Sequence, residues 1–148
     1  VKPADYQCLK NDVNKKVNFR IIDYSKAAFG SALPHRRGGK FVLIRNDEME
    51  YLLLSPGILS KHHATILERF CELNDIEGKY VTKPSHFVFR EPGWEIMGGG
   101  EWTIDDEDKV LHLFGKSVSY GKFFAEGLRV NIQKISSMAG YRLMIDGK

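Results

Sequence analysis

Cysteine is almost absent from this chain: Cys8 and Cys71 are the whole supply, and no CxxC pair occurs. A disulfide framework and a zinc knuckle both need more thiols, and such sparing use fits a reducing compartment. Long apolar runs are missing as well. No stretch approaches the roughly 20 residues that a helix needs to cross a bilayer, so no membrane span is expected. Charge of one sign is also scarce, with a net charge of +3 over 148 residues. The basic residues are spread along the chain apart from "HRRGGK" at 35–40. A nucleic-acid binder clusters a larger excess, so nucleic acid is not an expected partner. Walker, GxSxG and HExxH signatures are all missing. "DDED" at 105–108 lacks the glycine and the spaced ligands of a calcium loop, and reads as a solvated hairpin turn. Neither a metal nor a cofactor is implied.

What remains is ordinary globular material, 43% hydrophobic and 28% charged, in a length that suits one domain. The first 38 residues hold no lasting period and end in "GSALPHRRGG". They read as an N-terminal extension, with a short strand or turn at "VNFRIIDYS", ahead of a domain over 39–148. The start at Val1, and a basic first stretch that also holds Asp5, Asp12 and Asp23, do not suit an intact transit peptide. The expected location is the cytoplasm, with the mitochondrial matrix after presequence removal as the alternative.

Within the domain, "KFVLIRN" and "EYLLLSPG" read as strands. Leu59, His63, Ile66, Leu67, Phe70 and Leu73 then share one helical face, with Ser60 as a candidate N-cap. "HFVFR" is a short strand within an irregular connection at 76–93. "WEIMGGG" is a strand ending in glycines, and "KVLHLFG" is the best candidate for a central strand. Leu128, Ile132 and Ile135 mark a second helix, capped near Gly140, and "YRLMI" is the last strand. The expected fold is α/β (α+β): a single mixed sheet of five to six strands flanked by two α-helices.

Two features carry chemistry. "FGKSVSYGKFF" at 114–124 places Ser117, Val118, Ser119 and Gly121 between a strand and a helix. Free N–H groups at a helix start, serine hydroxyls and a permissive glycine make an anion cradle there, with Lys116 and Lys122 adding charge. The other reading is a βα turn with a serine cap and solvent-facing lysines. His63 lies on the apolar helix face. It is either a buried neutral imidazole or a base or nucleophile whose apolar setting keeps one nitrogen free. His62 falls on an adjacent face, and His112 alternates within a strand.

The order of these features resembles the phosphohistidine phosphatase, or Janus, family. A strand opening with lysine ("KFVLIR") is followed by "HHATI", "GGG", an apolar strand and "SVSYG", over about residues 39–146. The resemblance implies metal-free removal of phosphate from phosphohistidine or phospholysine in a protein or peptide. It makes His63 the catalytic residue, and Lys40 with Ser117, Val118, Ser119, Gly121 and Lys116 the phosphate-binding set. Several positions depart from the family: Glu101 stands where an arginine is usual, Thr65 replaces an aspartate, Ala125 a histidine, and "FGKS" replaces "YGYS". The alternative is therefore a catalytically inactive member that serves as a structural or interaction subunit, with residues 1–38 as a possible contact for a protein partner.

Overall fold

The computed structural model describes residues 18–146. Strand β1 (Asn18–Asp23) leads to a one-turn helix α1 (Ser25–Phe29), then β2 (Arg36–Arg45) and β3 (Met49–Pro56). Helix α2 (His63–Leu73) is followed by a hairpin of β4 (Gly78–Thr82) and β5 (His86–Phe89). Strands β6 (Glu95–Asp105) and β7 (Val110–Phe114), helix α3 (Ala125–Gln133), a 3-10 turn at Ser136–Met138 and β8 (Arg142–Asp146) complete the chain. Six strands form one mixed sheet in the order β1-β3-β2-β6-β7-β8, with both outermost pairs parallel and the inner pairs antiparallel. The fold is α+β, as the sequence leads one to expect. Among the described residues, no helix is long and apolar enough to cross a membrane.

The burial pattern explains the layering. In β2, Phe41, Val42, Leu43 and Ile44 are all buried, which is the signature of a strand covered on both faces. Phe41 and Leu43 join Trp102, Leu111, Leu113, Leu128 and Ile132 in the core beneath α3. Val42 and Ile44 face the other way and pack with Leu53, Ile66, Leu67, Phe70 and Phe87 beneath α2 and the hairpin. In β7 only Leu111 and Leu113 are buried. Its alternation marks one covered face, so "KVLHLFG" is one strand in from the edge and not central; β2 and β6 hold the middle.

Of the 38 residues read as an extension, those from 18 onward are described, and they join the sheet. Residues 18–23 form a full strand parallel to β3, and β2 starts at Arg36. Phe19 and Ile21 pack on one core and Ile22 on the other, but none of the six residues is fully buried, so the sequence carries a weak apolar signal. The Arg37 guanidinium fastens this segment. It donates to Asp23, Asp106, the Ser25 Oγ and the Pro34 carbonyl, with its side chain only 6% exposed. Of the 1–38 segment expected as a possible contact for a protein partner, residues 1–17 lie outside the described residues.

Helix boundaries also differ from expectation. Ser60 does not cap α2; its Oγ sits 2.6 Å from the Ser55 Oγ in the interior, and His62 precedes the helix without a side-chain cap. Leu73 is exposed, at the helix end where the core stops. Helix α3 ends before Ile135, and Gly140, with φ +84°, turns the chain into β8 instead of capping a helix.

Candidate functional site

The three glycines do not end their strand; β6 runs through them to Asp105. They are there because neighbours approach too closely for a side chain. A Cβ on Gly99 would lie 2.6 Å from the Phe41 carbonyl oxygen, 3.0 Å from the His63 Cδ2 and 3.3 Å from the Ser117 Cβ. The imidazole and the serine therefore meet over bare backbone. Gly98 has φ +130°, and a Cβ there would meet the Lys122 carbonyl oxygen at 2.2 Å. The β2–β6 register shifts between Leu43 and Ile44, beside this glycine.

His63 is the first residue of α2. Its Nε2 lies 2.8 Å from the Gly100 carbonyl oxygen. That oxygen can only accept, so Nε2 carries the hydrogen and Nδ1 of the neutral ring holds a lone pair. No hydrogen bond to Nδ1 is formed among the described residues. Burial pushes the pKa of His63 below the usual histidine value. The Gly100 bond opposes this, Lys40 reinforces it and Glu101 opposes it. The positive end of α2 works in the same direction as burial. The ring is thus neutral, with one nitrogen available, near neutral pH.

Lys40 and Glu101 stand directly opposite each other on β2 and β6. Phe41 and Trp102 belong to the core under α3, so alternation turns Lys40 and Glu101 toward the α2 face, where His63 lies. Neither makes an ion pair among the described residues. The Glu101 Oε2 lies 3.3 Å from where a Cβ on Gly115 would be. Lys116 is exposed and forms no ion pair with Glu101.

The loop at 117–121 is closed on itself. Ser117 and Gly121 exchange backbone hydrogen bonds, at 3.2 and 2.8 Å, and the Gly99 N–H donates to the Gly121 carbonyl at 3.1 Å. Gly121 holds φ +86°, which a glycine adopts without strain. The Tyr120 N–H donates to the buried Ser117 Oγ at 3.0 Å, and the Ser119 Oγ donates to the Ser85 carbonyl at 2.6 Å. The Tyr120 hydroxyl accepts from the Phe87 N–H and donates to the Phe87 carbonyl, at 2.7 and 2.6 Å. The amides of Val118 and Ser119 are the ones left for an anion, and the Val118 side chain is 96% exposed. Helix α3 starts only at Ala125, so this loop is not a helix N-terminus and gains nothing from a helix dipole.

The structure thus brings His63 and Ser117 together over Gly99, sets Lys40 opposite Glu101 where both act on the His63 ring, and leaves Lys116 on the surface. Two participants escaped sequence reasoning: the Gly100 carbonyl, and Tyr120 as a tie to the hairpin. The glycine run was the available signal for the first, since strand glycines mark close approach as well as turns. His112 is not a packing residue alone, because its Nε2 meets the Asp146 carboxylate at 2.7 Å. At the far end of α2, a cavity of about 220 Å³ is lined by residues that include Glu68, Cys71, Glu72 and Phe87. Burial pushes the Cys71 thiol up to about 11, so it is no nucleophile. No protein-family model matches the chain, and no curated protein matches it.

Proposed function

We propose that this chain is a metal-independent protein phosphatase acting on phosphoramidates, phosphohistidine among them, with His63 as the nucleophile. One observation carries the reading: the His63 ring is fixed through Nε2 to the Gly100 carbonyl, beside Ser117, with the Nδ1 lone pair unused. Nδ1 attacks phosphorus. The P–N bond breaks with its electron pair on the leaving nitrogen, which takes a proton from water. Water then attacks the phosphoryl-imidazole, releasing phosphate and restoring His63. The Gly100 carbonyl supports the positive charge that the ring gains at Nε2, while Lys40 and the Val118 and Ser119 amides offset charge on the phosphoryl oxygens. A P–N bond is labile, so placement and charge carry most of the task.

Phosphate release from a phosphohistidine peptide, in chelator, tests this. His63→Ala should lower kcat/KM at least about 100-fold with an unchanged circular dichroism spectrum. Equal activity in the two folded proteins overturns the proposal. A second reading, an inactive member serving as an interaction subunit, draws support from Glu101, whose carboxylate repels a phosphoryl group. It requires that neither protein release phosphate from any phosphoramidate.

A further inference from the structure

We propose that the preferred substrate of this site is phosphoarginine in a protein or peptide, its guanidinium bound by Glu101 and its phosphoryl group by Lys40; this rests on His63 being the nucleophile. The argument starts from a pair that fails to pair. Opposite charges directly across two antiparallel strands ordinarily attract and meet, yet Lys40 and Glu101, aligned in register, form no ion pair among the described residues. Both act on the His63 ring, one lowering and the other raising its proton affinity. The nucleophile is therefore flanked by a separated cation and anion. Such a site complements a zwitterion.

Candidate substrates divide on this feature. A phosphoserine or phosphohistidine brings a phosphoryl dianion with a neutral remainder at pH 8, which leaves Glu101 unmatched and repulsive. Phospholysine carries its cation on the nitrogen bonded to phosphorus, as a point charge. Phosphoarginine keeps a planar guanidinium one bond beyond phosphorus, with parallel N–H groups that fit a carboxylate fork. Glu101 is exposed over the side-chain-free Gly115, so the carboxylate has room to receive it. The chemistry closes without another reactant. The Nδ1 of His63 bonds to phosphorus, and the P–N electron pair stays on the departing nitrogen. A neutral guanidine leaves, is protonated by water, and remains paired with Glu101 as it departs. Water then hydrolyses the phosphoryl-imidazole.

The test uses two peptides of one sequence, carrying either phosphoarginine or phosphohistidine, with the full chain at pH 8. The wild type should show a kcat/KM at least about tenfold higher on phosphoarginine, the scale of one charge-assisted hydrogen bond. Glu101→Gln should lose about tenfold on phosphoarginine and gain on phosphohistidine, and Glu101→Asp should retain the wild-type preference. Equal rates on the two peptides, or a Glu101→Gln effect of the same sign and size on both, overturns the substrate assignment alone, provided that release still depends on His63. Absence of His63-dependent release from either peptide overturns the assignment and the phosphatase reading together.

Discussion

Gly99→Ala is the sharpest probe of how the strand and the site depend on each other. The added methyl would sit 2.6 Å from a backbone oxygen of Phe41, in a strand buried on both faces at the middle of the sheet. A backbone atom there cannot swing aside as a side-chain end would. Overpacking of this kind costs about 1–3 kcal/mol, and the smaller entropy of the unfolded alanine chain returns about 0.4–1 kcal/mol. The net loss is about 1–2 kcal/mol. With a urea slope of about 2 kcal/mol/M, the unfolding midpoint should fall by about 0.5–1 M. The same methyl meets the His63 Cδ2 at 3.0 Å, so the ring should be pushed off the Gly100 carbonyl. Because the Gly100 bond raises the ring's proton affinity, its loss should move the NMR titration of His63 further below the ordinary histidine value. Gly57→Ala is the control, because a Cβ there meets nothing within 4 Å. A Gly99→Ala protein with the wild-type midpoint and an unchanged His63 titration would refute the close-approach account of the glycine run.

Two further outcomes follow from charge. The folded pKa of His63 is depressed by burial, so the neutral ring's contribution to stability is complete above the unfolded value near 6.5. It is lost as the pH falls from there through the folded value. Urea midpoints measured from pH 7.5 to 5 should therefore drop more steeply for the wild type than for His63→Gln, and matching slopes would contradict this. Arg37→Lys replaces a buried fork by a point charge. Because Asp23 and Asp106 keep 29% and 30% exposure and can hydrate, the cost should be about 2 kcal/mol, or about 5–8 °C in Tm; an unchanged Tm would show that the clamp does not hold the first strand in place.

Legibility in the sequence tracked burial. The four-residue apolar run of β2 and the three-and-four spacing of Ile66, Leu67 and Phe70 were plain because deep packing imposes them. Strand β1 was missed as part of the sheet because none of its six residues is fully buried, so no strong apolar pattern marks it. Strand β4 escaped because its burial rests on a few contacts such as Tyr80 against Phe87. At the site, the inward phase of His63 was readable. Its partner was not, since a carbonyl oxygen leaves no mark on residue identity. The serines illustrate the same limit: "SVSYG" announces donors, but what occupies them is decided by Ser85 and Phe87, more than 30 positions away.

That last tie has a consequence for motion. Ser119 and Tyr120 are hydrogen-bonded to the hairpin, His86 stacks on the Tyr120 ring at 5.0 Å, and the hairpin packs on α2, which carries His63 at its first residue. The loop cannot lift by itself. Opening it means breaking the Ser85 and Phe87 bonds and unstacking a ring pair, so hairpin and loop open as one cooperative unit with a shared opening free energy. The hairpin is thus a latch on the loop: a change that loosens residues 78–89 loosens the 117–121 loop with it.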